Sequence, residues 1–173
     1  MLRGLVAFCV AFAALCARTP IDFTTLKQSF IQRVTNEQNQ TITFSGAVWL
    51  KQPNLVRYDY VKPQKKTVTA RGDRILILEP DLEQATRFTS EIALNIIDLW
   101  RQSYAVGEGK REAIIKNQKI AIEHEGANIT KVYYTDDLDN FVEIMLSDPE
   151  RDKPIDDGFF TPAIPNGWDI ISQ

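Results

Sequence analysis

Between residues 41 and 60 the chain alternates apolar and polar side chains with a period of two. Ile42 and Phe44 fall on one face and Thr41, Thr43 and Ser45 on the other, the spacing of a strand with one buried side. Gly46 interrupts the alternation, and Ala47, Val48, Trp49 and Leu50 beyond it are apolar on both faces, which predicts a bulge at the glycine. Lys51-Gln52-Pro53-Asn54 reads as a turn, being rich in residues that favour reversals. Val56, Tyr58 and Tyr60 then share one face of a strand and Arg57 and Asp59 the other. The same style predicts strands over 67–70, 74–79, 84–88, 112–116, 119–124, 129–135 and 141–147, with Gly72-Asp73, Pro80-Asp81, Asn117-Gln118, Gly126 and 136–140 as turns. Short strands at this even spacing predict an antiparallel sheet that curls or closes.

Two segments depart from that rhythm. Residues 90–104 carry a polar stripe at Glu91, Asn95, Asp98 and Gln102, the repeat of a helix face. Thr89 or Ser90 can cap its start and Gly107 can end it. Its apolar remainder, Ile92, Ala93, Leu94, Ile96, Ile97, Leu99 and Trp100, covers more than half the circumference. A helix covering something large and apolar fits that pattern, and so does a helix simply buried by strands and loops. Near the start, Phe23, Leu26 and Phe30 share a helical face from Asp22, while Phe30, Gln32 and Val34 alternate as a strand would. The expectation is a short helix giving way to a strand near Lys27.

The first 17 residues read as a secretory signal, with Arg3 before an uncharged run from Leu5 to Leu15 and a polarity break at Ala17-Arg18. That run is shorter than the roughly 20 residues a membrane span needs. Cleavage after Ala17 or after Ala13 are both open readings, and Cys16 raises a lipidated terminus as a third, against which Leu15 is bulky for the preceding position. Residues 18–173 then form a single domain with neither cysteine, since Cys9 and Cys16 both lie in the signal. The expected location is the periplasm, and stability must come from burial and sheet hydrogen bonds. At 44% hydrophobic and 25% charged residues the chain has the balance of a folded globule. Its net charge of −3 argues against a nucleic-acid partner, despite the local bases Lys62, Lys65, Lys66, Arg71 and Arg74.

Catalytic chemistry is hard to place. His124, the only histidine, belongs by parity with Ile120 and Ile122 at a strand end, where a hydrogen-bonded structural role is expected. No phosphate loop, paired metal ligands or nucleophile context is present. Acids cluster at Asp136, Asp137 and Asp139, at Asp148, Glu150 and Asp152, and at Asp156 and Asp157. Paired carboxylates could serve a glycosidase, but surface turns account for them equally well.

A series of motifs is more specific. Phe30-Ile-Gln-Arg-Val-Thr, then Gly46-Ala-Val-Trp-Leu-Lys-Gln-Pro-Asn-Leu-Val-Arg-Tyr-Asp-Tyr-Val-Lys-Pro, Gly72-Asp, Glu79-Pro-Asp-Leu-Glu-Gln-Ala, Phe159-Phe-Thr-Pro and Trp168-Asp-Ile together resemble the periplasmic lipoprotein-carrier family LolA. The resemblance spans residues 26–170 and implies a mainly β (α+β) fold: an incomplete antiparallel β-barrel enclosing an apolar cavity, covered by a short helical lid. It further implies a cofactor-free, monomeric, non-enzymatic carrier. Such a carrier takes acylated lipoproteins from an inner-membrane ABC transporter and passes them to an outer-membrane receptor. By the same resemblance Val34, Val56 and Tyr58 face the cavity, and Leu94, Ile96 and Ile97 belong to the lid. The family commonly has arginine, bonded to the lid, where this chain has Gln52. Glutamine can still hydrogen-bond but lacks the charged fork, which puts the latch in question. A periplasmic lipid-sensing regulator of related fold is the alternative, one that would ordinarily carry a second domain.

Overall fold

The computed structural model describes residues 19–89 and 96–172. The signal segment, Leu94 and the first part of the predicted helix therefore lie outside the described residues. Twelve strands form one sheet: β1 (Thr25–Thr35), β2 (Thr41–Lys51), β3 (Leu55–Lys62), β4 (Lys66–Arg71), β5 (Arg74–Glu79), β6 (Gln84–Thr89), β7 (Tyr104–Gly107), β8 (Lys110–Ile115), β9 (Gln118–Glu125), β10 (Asn128–Thr135), β11 (Phe141–Arg151) and β12 (Asp169–Ser172). Their spatial order is β12-β6-β5-β4-β3-β2-β1-β11-β10-β9-β8-β7. Neighbours run antiparallel except β12, which joins β6 in parallel. The two ends of that order do not pair, so the sheet is an unclosed barrel, as the sequence implied.

One short helix, α1 (Ile96–Gln102), packs within the curl. A single core unites Phe30, Val48 and Val56 of the central strands with Ile75 on one arm, Ile122 on the other and Ile97 of the helix. Only a strongly bent sheet brings both arms onto one helix. Inward residues follow from register: Phe30 lies across from Gly46 and Leu146, and Tyr58 from Val48 and Val68.

Gly46 sits where the pairing of β2 with β3 slips by one residue. A Cβ there would lie 2.0 Å from the Asp59 carbonyl oxygen and 3.0 Å from the Phe30 ring. The irregularity expected at the glycine is there, but the extra residue, Val61, belongs to β3; close backbone approach is what requires a glycine at 46.

Two expectations are corrected. No helix begins at Asp22; β1 starts at Thr25 and is hydrogen-bonded on both sides, to β2 and β11. Two full ladders outweigh the weak helical spacing of three apolar residues, and Phe23 reaches the core from an irregular segment. At its other end the predicted lid helix stops at Gln102 rather than near Gly107. Ser103 ends it, its hydroxyl donating to the Trp100 carbonyl at 2.7 Å while accepting from Arg111 Nε at 2.7 Å. Tyr104 then enters β7, which pairs with β8.

A C-terminal strap crosses the outer surface. Lys51 holds it through the Ile155 carbonyl and Asp157, both at 2.6 Å. Arg57 donates to the Phe159 carbonyl at 2.8 Å and lies over that ring. Phe160 is buried between strap and sheet.

Candidate functional site

The concave interior changes character along its length. At the end nearest the β2–β3 turn, Leu50, Val56 and Ile97 are fully enclosed. Towards the opposite rim the inward positions become half-open: Gln32 and Val34 on β1, Tyr60 on β3, Lys66 on β4, Tyr134 on β10. Between the two ends lies a cavity of about 330 Å3, within the range of about 300–1,000 Å3 of small-molecule sites.

Tyr58, Val68, Ile77, Ile96, Leu99, Ile120, Val132 and Leu146 form its apolar wall, and Gln32, Tyr60, Lys66, Gln118 and Tyr134 its polar mouth. Lys66 is the one charged residue among the described lining residues; its ammonium stands 4.6 Å from the centre of the Tyr60 ring. Tyr60 donates its hydroxyl to Gln32 Oε1 at 3.1 Å. Burial pushes the Tyr60 hydroxyl up to about 12, with Tyr134 adding to the shift. Burial raises Tyr58 and Tyr134 as well. All three phenols stay neutral at physiological pH and offer hydrogen bonds, not charge.

The sequence-predicted residues separate along this gradient. Tyr58 and Ile96 line the cavity. Val56 and Ile97 lie in the filled end beneath it. Val34 is on the inner face beyond the mouth, across from Ile42 and Val142, and Leu94 is outside the described residues. The polar mouth went unread in the sequence, although Lys66 and Tyr134 share the parity of the apolar positions on β4 and β10.

Gln52 touches the lid. Its amide nitrogen donates to the Ile21 carbonyl at 3.1 Å, and its oxygen accepts from Arg101 Nη2 of α1 at 3.0 Å. The guanidinium is thus supplied by the helix and the neutral acceptor by the turn. The same C-terminal turn of α1 is held a second way: Arg111 lies 4.5 Å over the Trp100 ring, and Trp100 meets His124 edge-on at 5.0 Å.

The acidic clusters have structural uses. Asp136 accepts from the Leu138 and Asn140 amides, both at 2.9 Å, closing the β10–β11 turn. Asp152 accepts from the Thr24 amide at 2.7 Å, and Asp156 from that of Gly158 at 2.7 Å. Among the described residues no group of His, Cys, Asp and Glu is placed to hold a metal ion.

Comparison with known proteins places this cavity in context. Residues 22–99 match the family model described as outer membrane lipoprotein carrier protein LolA. An outer-membrane lipoprotein carrier protein of Wolinella succinogenes is 31% identical over 166 residues, covering 95% of this chain and 96% of the relative. One from Campylobacter jejuni is 24% identical over 151 residues, covering 87% and 88%. Among solved structures the fold is shared with an uncharacterised conserved protein of Thermus thermophilus (TM-score 0.56, 10% identity, 88% of this chain and 93% of that one). It is shared too with a LolA superfamily protein of Nitrosomonas europaea (TM-score 0.51, 11% identity, 84% and 93%). Matched over 95% of its length to a relative 31% identical, the chain belongs to the LolA family of outer-membrane lipoprotein carriers, which are carriers rather than enzymes.

Proposed function

We propose that the protein works in the periplasm, reached through the signal segment 1–17, as a soluble carrier for the acyl chains of lipoproteins released from the inner membrane and bound for the outer membrane. The observation that carries this reading is an apolar cavity left open beneath a short helix, with its polar groups confined to the mouth. Acyl chains gain about 0.8 kcal/mol per CH2 removed from water, so one long chain supplies roughly 10 kcal/mol. Several chains fully buried would pass the ceiling of about 20 kcal/mol for non-covalent binding. A carrier that must release its cargo therefore benefits from incomplete enclosure and a lid that costs something to move. In this reading α1 swings outward as chains enter, hinged at its C-terminal end, where Arg111 and the Gln52–Arg101 hydrogen bond both hold it. Donor and acceptor would be an inner-membrane ABC transporter and an outer-membrane receptor, and the direction of transfer would follow from differential contacts in the open and closed states.

The test adds purified protein to spheroplasts and asks whether lipoproteins enter a soluble complex. Wild type should release them, Ile96→Glu should release at least about tenfold less, because a carboxylate in the apolar cavity wall is left unpaired, and Ile114→Glu, on an exposed face, should match wild type. No release by the wild type, or equal release by Ile96→Glu, contradicts the proposal.

A further inference from the structure

A second concavity, about 520 Å3, lies where β4 ends, β5 begins and β6 ends, under the C-terminal strap. Leu76 from the sheet and Phe160 and Pro162 from the strap give it apolar surface, and it reaches Ile75 and Phe88 at the strand ends. Arg71, Arg74 and Arg87 line it too. Register brings them together: Arg71 is directly across from Arg74, and Arg87 is across from Leu76. No carboxylate belongs to the described lining, and none of the three guanidiniums forms a salt bridge with a described residue. Asp157, on the strap, interacts electrostatically with Arg71, which helps to lower its carboxyl. In a chain of net charge −3, three cations gathered on one apolar groove, with no carboxylate among its described lining residues, are a local inversion of charge.

We infer that this outer groove is a second binding site, distinct from the inner cavity, for a single-chain anionic amphiphile of the fatty-acid class. Its carboxylate would lie among Arg71, Arg74 and Arg87, and its chain against Leu76, Phe160 and Pro162. Guanidinium suits the anion because its planar fork matches a carboxylate and stays charged at every relevant pH. The volume suits one chain, as it falls within the range of about 300–1,000 Å3 for small-ligand sites. Phe88 lines both the groove and the inner cavity, so the two sites share one side chain as a wall.

The test compares dodecanoate with dodecanol on the whole protein at neutral pH, read from the Leu76 methyl resonances. Dodecanoate should bind at Leu76 at least about tenfold more tightly than dodecanol, the order expected of one charged hydrogen bond. The triple variant Arg71→Gln, Arg74→Gln, Arg87→Gln alters only exposed side chains and should abolish that preference while leaving uptake of an acylated peptide by the inner cavity unchanged. Equal affinities for the two probes, a preference that survives in the triple variant, or dodecanoate shifts confined to Ile96 and Ile120 would each overturn the inference. Failure of acylated-peptide uptake with the dodecanoate preference intact would overturn the carrier proposal and leave the groove standing.

Discussion

Gly46 shows how one residue fixes the geometry of the site. Nothing about its backbone angles demands glycine; the missing Cβ does, because the Asp59 carbonyl oxygen occupies that space. Gly46→Ala must push β3 away from β2 and displace the Phe30 ring, and overpacking of this kind costs about 1–3 kcal/mol. The free energy of urea unfolding should fall by that amount; an unchanged value would mean that the bulge relaxes freely. A second prediction rests on Glu150, whose carboxyl is held down at about 2 by Lys153 first and Lys27 second. The unfolded chain takes up that proton near 4.5 and the folded chain only near 2. Its contribution is therefore present above the higher value and lost as pH falls through the lower one. Unfolding midpoints followed through that acid window should fall less steeply for Glu150→Gln than for wild type. The pair lies at the surface, so the difference should also shrink in high salt.

Among the elements, α1 contributes Ile96 and Leu99 to the cavity wall, and the proposed carrier cycle turns on it. Its described part, Ile96–Gln102, is held in position by contacts at Trp100, Ser103 and Gln52. The sequence made Gln52 look like a weakened latch, since the charged fork was missing from the turn. Arg101 restores a charged donor from the opposite side, a compensation invisible without knowing that residues 52 and 101 meet. Gln52→Ala removes both the acceptor for Arg101 and the donor to Ile21. At this half-buried site the loss should be about 1 kcal/mol, or about fivefold faster amide exchange in α1. Exchange in β10 should not change. Equal exchange in α1 of variant and wild type would remove Gln52 from the lid's restraint.

Across the whole molecule, local periodicity carried most of the sheet. Val56, Tyr58 and Tyr60 share a face because strands alternate, and no long-range knowledge was needed to see it. Depth along that face was not legible. Val56 is sealed while Tyr58 borders the cavity, because Leu50 and Ala70 lie beside the first and the gap beneath α1 beside the second. The edge strands β7 and β12 were missed for a related reason. Both are exposed throughout, so neither has a buried face to imprint a pattern, and β12 is fixed only by parallel pairing with β6, far away in sequence. The resemblance to a carrier family anticipated the open barrel, but the polar mouth and the arginine-lined groove belong to this chain's own residues.

The central claim is that acyl chains occupy the space beneath α1. Isoleucine methyl NMR tests it most directly, because Ile77, Ile96, Ile120 and Ile144 line that space while Ile31, Ile114 and Ile170 are exposed elsewhere. On titration with a diacylated lipopeptide the first set should shift and the second should not, and the same peptide without its acyl chains should move neither. Lining methyls that stay in place while the protein binds the lipopeptide, or shifts confined to the exposed set, would contradict the account.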